Sequence, residues 1–351
     1  MLVVVTTGDF GAALVAQVRP DASTTRRRVI REEITPELRL VVSRGFAYLI
    51  RRQGETDSFG SSQYSVAENA LMGLAFLAGG YDDHSGPRDY VEALKRNTNR
   101  LLSHQKKNGY FDDDNSRMYG HGFATLFLAE LYGMSEGQHE RLRSALELAV
   151  KLIEHSQGQE GGWDYVPGGL TGRLERLGGG DTSITVCQTL ALRAARNLGI
   201  EIDARVIDRA KRYIWNAQKE DGGFAYRVGG SLKIKDFSEF PRSAAGVCVL
   251  YSLGEYDTTR MRRGVDYLSD HYRKLNDFPH YAHYYCAQAM FQVGGRRWEE
   301  YFRWVSREII DSQRDDGSWK QGTYETSSPV RTAMALIVLQ LPYRFLPIHE
   351  R

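Results

Sequence analysis

The sequence predicts an all-α protein: six helical hairpins that stack side by side and can close into a double ring. Three observations carry that reading. One short phrase recurs along the chain, a more apolar helix follows each copy, and a single helical pair cannot bury both of its faces alone. The phrase is a helix end, a glutamine, a polar turn, glycine and an aromatic, as in NAQKEDGGFAY at 216–226. Gln53, Gln105, Gln157, Gln218 and Gln313 mark five copies, spaced 52, 52, 61 and 95 residues apart. The last gap has room for one more unit, and RRGVDYLSDHYRKLND (262–277) reads as a worn copy.

The elements follow in order. The first unit runs through RGFAYLIRRQGETDSF (44–59) into YSVAENALMGLAFLAGG (64–80). The second runs through RLLSHQKKNGYF (100–111) into YGHGFATLFLAELYG (119–133), and the third through LIEHSQGQEGGW (152–163) into DTSITVCQTLALRAARNLG (181–199). The fourth joins YIWNAQKEDGGF (213–224) to RSAAGVCVLYSLG (242–254). The worn fifth leads to HYYCAQAMFQVGG (283–295), and IIDSQRDDGSW (309–319) leads to SPVRTAMALIVLQL (328–341). The second helix of each pair is apolar nearly all round, as expected of an inner layer buried on every side. Most of these inner helices end on glycine, which tolerates the left-handed residue after a helix. The first helices carry more charge and fit an outer layer. In the turn, glycine stops the outer helix, the aromatic covers it, and the glutamine is expected to bond backbone groups left unpaired at the helix end. Gln157 to Cys187 and Gln218 to Cys248 both span 30 residues, which places these cysteines at equivalent inner sites. One domain is expected over 36–351, preceded by an arm over 1–35.

Composition excludes several classes. A net charge of +2 gives no argument for nucleic acid, and Arg26-Arg27-Arg28 reads as a solvated part of the arm. Three scattered cysteines, Cys187, Cys248 and Cys286, suit a helical core and neither a disulfide framework nor a cysteine zinc site. No apolar run reaches the roughly 20 residues that span a bilayer. MLVVVTTGDFGAALVAQ at the start lacks a basic residue and is interrupted by Thr6-Thr7-Gly8-Asp9. A shortened export signal stays open for this arm, and the compartment with it. Twenty tyrosines suggest half-polar aromatic positions such as a cavity lining.

The repeat resembles the Gln-Trp motif of the prenyltransferase and squalene oxidase repeat family, over roughly 40–345. QGQEGGW and QRDDGSW are the sharpest matches, and MYGHGFATLFLAELYG, GGGDTSITVCQTLAL and TAMALIVLQLPYRFLP are similar to the bacterial squalene-cyclase-like subgroup. The resemblance implies an α6/α6 toroid of the terpenoid cyclase and protein prenyltransferase kind, with a central cavity. The chain departs from the family's chemistry in two places. The cyclases' Asp-x-Asp-Asp acid motif is reduced to Asp181 in GGGDTS; FDDDN (111–115) lies in another loop and reads as a solvated turn. The prenyltransferases' zinc triad is absent, since Tyr281, His283 and Arg331 stand at its positions. No Cys-Gly-Glu-Gln thioester sequence occurs, and no metal or cofactor is expected.

In a closed hairpin ring all inner helices point the same way, so their positive N-terminal ends gather at one mouth and favour an anion. The residues at those ends give the candidate pocket: Tyr64, Tyr119, His121, Asp181, Ser183, Arg242, His280, His283, Tyr284, Glu325, Ser328 and Arg331. Asp181, Glu325 and His121 are the candidate catalytic groups, Asp181 or Glu325 as proton donor. Asp181 is also a good helix cap. Arg331 needs a partner if buried, with Glu325 or Asp181 at hand. Arg242 and Arg331 could hold a diphosphate. An apolar isoprenoid-like ligand, cyclised or transferred, is the leading reading. A non-catalytic toroid that binds protein or peptide is the second, and a polysaccharide lyase using Tyr, His and Arg the third.

Overall fold

A computed structural model describes residues 33–56, 64–113, 115–135, 140–168, 180–228, 237–274, 279–321 and 327–349. The described chain forms twelve α-helices in strict alternation. The outer helices are α1 (Pro36–Thr56), α3 (Arg88–Ser103), α5 (Glu140–His155), α7 (Ala204–Ala217), α9 (Thr259–His271) and α11 (Gly295–Asp311). The inner helices are α2 (Ser65–Ala78), α4 (Arg117–Met134), α6 (Thr182–Asn197), α8 (Phe240–Ser252), α10 (Pro279–Val293) and α12 (Ser328–Gln340).

The burial pattern follows the sequence. Helix α3 buries one stripe, Ala93, Leu94, Asn97, Thr98 and Leu101, at helical spacing. Helix α6 is buried at nearly every position from Thr182 to Ala195. Each inner helix packs on the next, and α12 packs back on α2, so the inner ring is closed. This is the α6/α6 toroid.

The turns explain the closure. Four of the five glutamine amides donate twice, once within the turn and once to the next outer helix. Gln105 reaches Gly109 O (3.2 Å) and Ala145 O (2.8 Å), and Gln157 reaches Gly161 O (2.8 Å) and Val206 O (2.9 Å). Gln218 reaches Gly222 O (3.1 Å) and Arg260 O (2.9 Å). Gln313 reaches Gly317 O (3.1 Å) and Val41 O (2.9 Å), which ties the sixth unit to the first. The expectation that glutamine serves its own helix end is thus corrected. A short bridge from glutamine to the turn aromatic, such as Gln105 to Phe111 and Gln218 to Phe224, closes that end, and the side chain reaches across instead. The turn glycines Gly109, Gly161, Gly222 and Gly317 all lie at φ near +90°. A Cβ there would come within 2.4 Å of the carbonyl oxygen of Leu148, Arg209, Arg263 or Arg44, so only glycine allows the turn to seat on its neighbour.

Position in the repeat identifies the worn unit. The acceptors Ala93 (bonded by Gln53 at 3.1 Å), Ala145 and Val206 each stand twelve residues before the glutamine of their own unit. Counting from Arg260 in the same way arrives at Tyr272, and back from Gln313 at Tyr301. Those two rings meet at 5.2 Å edge to face, and Trp304 closes on Tyr272 at 5.1 Å. The fifth seam is therefore aromatic where the other five are amide-bonded.

The far mouth is covered by the segment after α12. Leu346 is buried, and Ile348 N donates to Glu130 Oε2 of α4 at 3.1 Å. Across the axis Phe123 of α4 and Tyr284 of α10, on opposite sides of the ring, meet edge to face at 6.2 Å. They bridge the centre one turn below Tyr119 and Tyr281 and floor the N-terminal mouth. No described helix is long and apolar enough to cross a membrane.

Candidate active site at the N-terminal mouth

The third and fourth turns run on, past their aromatics, to the start of α6. Asp181 N donates to Trp163 O (2.8 Å), and Thr182 N to Tyr226 O (2.9 Å). Asp181 bridges both Trp163 and Arg227, and the Thr182 hydroxyl donates to Ala225 O (2.8 Å). This weave brings two tyrosines together, each two residues past its turn aromatic. The hydroxyls of Tyr165 and Tyr226 lie 2.9 Å apart. Arg227 grips Asp164 with two parallel bonds (2.9 and 3.0 Å), which locks one exit to the other.

Asp181 sits at the centre, fully buried. Its Oδ1 accepts from Ser183 N (2.8 Å) and Ile184 N (3.1 Å), so it caps α6 as the sequence suggested. Its Oδ2 is buried and accepts no hydrogen bond of ordinary geometry. Burial raises the carboxyl above the usual aspartate range, against the nearby Tyr226 hydroxyl, the two amides and the Arg227 charge, which pull it down. Burial also pushes Tyr165 up to about 12, with Asp181 adding to it. Tyr119 and Tyr281 are partly exposed, and the Ser183 hydroxyl is within bonding influence of both.

Of the candidates read from sequence, the structure gathers Asp181, Ser183 and Tyr119 here, with Tyr284 in the floor. The others do not join this cluster. His121 is buried, with Phe111 N donating to its Nδ1 (3.2 Å) and its Nε2 facing Ala149 O (3.2 Å), so the ring proton is on Nε2. Burial pushes this imidazole down to about 4. Thr185 and Ser243 do the same work, taking the amides of Trp163 (3.0 Å) and Phe224 (2.8 Å). They stand 22 and 19 residues past those aromatics, so Cys187 and Cys248 are three positions out of register. The expected equivalence of the two cysteines is corrected, because the loop lengths differ; both are buried free thiols.

Arg242 and Arg331 turn back to their own turns, each Nε donating to the turn aromatic's carbonyl (Phe224 O 2.9 Å, Trp319 O 3.4 Å). Arg242 also pairs with Glu239 and donates to Phe237 O (2.7 Å). His280 and His283 line a cleft of about 290 Å³ at the aromatic fifth seam, beside Tyr272 and Trp304. His283 Nδ1 lies 3.1 Å from Tyr301 Oη, and burial, then the His280 charge, pushes it down to about 3. Tyr64 is a half-exposed residue before α2, and Ser328 accepts from Tyr48 Oη (3.1 Å). Glu325 and residues 1–32 fall outside the described residues.

The FDDDN loop is not merely solvated. Asp113 Oδ2 takes Val66 N of α2 (2.6 Å) and Ser116 Oγ (2.5 Å). Carboxylates of the chain thus already answer two helix starts at this mouth, so its attraction for anions is weaker than six bare ends would give. Among the described residues Asp82, Asp83 and His84 come close enough to hold an ion, but their oxygens serve His84 N, Ser85 N and Ser135 Oγ in a surface turn. Sequence reading missed Tyr165, Tyr226, Asp164, Arg227 and Tyr281. The signal that could have found the first two is the tyrosine two places after the aromatic, in GGWDY and GGFAY alone.

No family model matches the sequence, and no curated protein matches it. Solved structures match in fold. The type II terpene cyclase MstE from Scytonema aligns at a TM-score of 0.62 and 14% identity, over 88% of this chain and 99% of its own. A variant of that cyclase, at a TM-score of 0.56 and 14% identity over 88% of this chain and 98% of its own, was solved with its substrate geranylgeranyl dihydroxybenzoate. The unsaturated glucuronyl hydrolase from Bacillus sp. GL1 aligns at 0.65 and 12% identity, over 87% and 96%. D-mannose isomerase aligns at 0.63 and 12% identity, over 88% and 98%. At such identities the likeness is one of fold. The chain is an α/α toroid of the architecture that terpene cyclases share with carbohydrate enzymes.

Proposed function

We propose that the N-terminal mouth binds an isoprenoid-like ligand and that Asp181 protonates it, as the acid of a terpenoid cyclase would. The observation that carries this reading is the division of labour within one carboxyl group. Oδ1 is fixed by two amides, while Oδ2 is buried without a hydrogen bond of ordinary geometry, and burial favours the protonated form. Transfer of the Oδ2 proton to an alkene carbon breaks O–H, forms C–H and leaves a carbocation. The new carboxylate is then held by Ser183 N, Ile184 N and the Tyr226 hydroxyl, whose bonds to it strengthen as charge develops. The faces of Tyr119, Phe123 and Tyr284 supply a surface suited to the cation. Loss of a proton to water ends the sequence with no net redox change. Glycosidase-type acid chemistry at the same carboxyl would need a second carboxylate across the bond. Asp164, a candidate for it, is paired with Arg227.

The test incubates purified protein with labelled squalene and C15 and C20 prenyl compounds in deuterated water. One deuterium in a cyclised or isomerised product, absent with Asp181→Asn, supports the assignment. No binding and no product with any of them removes it. The meeting of Phe123 and Tyr284 across the axis favours a second reading, a toroid that holds a peptide over its mouth without turnover. Under that reading Phe123→Ala leaves ligand binding unchanged; under the first it alters affinity for long prenyl chains.

A further inference from the structure

Four arginines stand around the N-terminal mouth, and they differ in what their guanidinium groups do. Arg227 is bonded twice to Asp164. Arg242 is held by Glu239 and by two carbonyls. Arg331 is buried and turned to Trp319 O. Arg117, the first residue of α4, is exposed and makes no hydrogen bond or ion pair among the described residues; its guanidinium carbon lies 5.9 Å over the Tyr165 ring. Its position is fixed from both sides. Ser116, before it, gives N–H and Oγ–H to Asp113 (2.6 and 2.5 Å), and Met118 N, after it, donates to Tyr165 O (3.0 Å). Between these anchors Arg117 lies at φ +52°, left-handed backbone that a long side chain rarely adopts.

Tyr165 connects this charge to the acid. Its face carries Arg117, and its hydroxyl meets Tyr226 and acts on Asp181, whose buried Oδ2 accepts no hydrogen bond of ordinary geometry. We propose that Arg117 selects ligands bearing an anionic head group, and that the head sits on Arg117 beside Tyr165 while the apolar body lies toward Asp181. A guanidinium presents paired donors suited to carboxylate or diphosphate oxygens, and a cation stacked on an aromatic face keeps those donors directed outward. This inference rests on the isoprenoid reading of the same mouth and adds to it the chemistry of the ligand's other end.

Three C15 probes with one chain decide it: farnesol, farnesoic acid and farnesyl diphosphate, titrated calorimetrically against wild type, Arg117→Lys, Arg117→Gln and Arg117→Gly. Wild type is expected to bind one or both charged probes at least tenfold more tightly than farnesol, and which of the two is favoured separates a carboxylate head from a diphosphate. Arg117→Gln and Arg117→Gly should erase that preference and leave farnesol unchanged, while Arg117→Lys keeps some of it. Arg117→Gly should melt no lower than wild type, because glycine accepts the left-handed backbone, so loss of preference is separated from loss of fold. Equal binding of the three probes to wild type, or a preference that survives Arg117→Gly, overturns the role of Arg117 while leaving isoprenoid binding intact. Binding of none of them overturns both.

Discussion

The third and fourth turns differ instructively from the second and sixth. All four have the same glutamine clasp, the same glycine at φ near +90° and the same seat on the next outer helix. They diverge at the second residue after the aromatic. Turns three and four present Tyr165 and Tyr226 to Asp181; turn two presents Asp113, which caps α2 and Ser116; turn six presents Gln321 at the rim of the fifth-seam cleft. The repeat builds the frame, and the residues just beyond it, which make none of the glutamine bonds, differ from turn to turn. The proposed site thus lies where the repeat stops being a repeat.

That contrast can be broken or sharpened by experiment. The largest effect is expected at Asp181. Asn can still cap α6, so Asp181→Asn should reduce turnover on an accepted substrate by about a hundredfold or more, with little change in melting temperature. Asp181→Ala removes both functions and should also lose about 1–2 kcal/mol of stability. Equal turnover in wild type and Asp181→Asn would return this residue to a purely structural role.

Next comes the frame itself. Gly222→Ala forces a Cβ to 2.3 Å from Arg263 O at a left-handed φ and should cost at least about 2 kcal/mol by chemical denaturation. Gly54→Ala, in helix α1 with nothing within 4 Å, should gain roughly 0.5–1 kcal/mol. If both glycines prove equally replaceable, the seating of the turns is not what closes the ring.

The buried titratable groups should separate by sign. His121 is pushed down from 6.5 to about 4 in the folded state, so the unfolded chain takes up the proton first. Its contribution is present above pH 6.5 and lost as pH falls toward 4, by up to about 3 kcal/mol. The folded carboxyl of Asp181 is raised, so its contribution is present at acid pH and lost as pH rises through the folded value. Stability measured in urea across pH 4–7 should therefore flatten in His121→Gln on the acid side, whereas wild type should gain on Asp181→Asn as pH falls. The smallest effect is expected for Tyr226→Phe. Removing a hydroxyl that lowers the Asp181 carboxyl should shift its titration further upward, visible as a change in the infrared carboxyl band, at a stability cost under about 1 kcal/mol.

Much of the frame was legible because it is periodic. Five glutamines, a missing sixth and the alternation of charged with apolar helices gave every outer and inner element in order. The site was less legible for physical reasons that particular residues show. Arg242 and Arg331 look like anion binders in sequence, but a long side chain at an inner-helix start can fold back onto its own turn's carbonyl. His121 stands between glycines like an exposed ligand, yet a buried backbone amide claims its Nδ1. The cysteine register failed because the step from turn aromatic to accepting hydroxyl is 22 positions in one unit and 19 in the next, which only the hydrogen bonds reveal. Tyr165 and Tyr226 meet across 61 positions, a distance that no local pattern spans.

The clasp from Gln313 to Val41 has a mechanical consequence. It joins the last unit to the first through the same bonds that join units linked by covalent chain, so the toroid resembles a belt whose buckle is cut from the same leather. Tension applied at the two ends of such a belt falls on the buckle before any hairpin is loaded. The force needed to open the ring is then set by that clasp, by the bonds of Arg44 and Arg51 to the carbonyls of the sixth turn, and by the packing of α12 on α2.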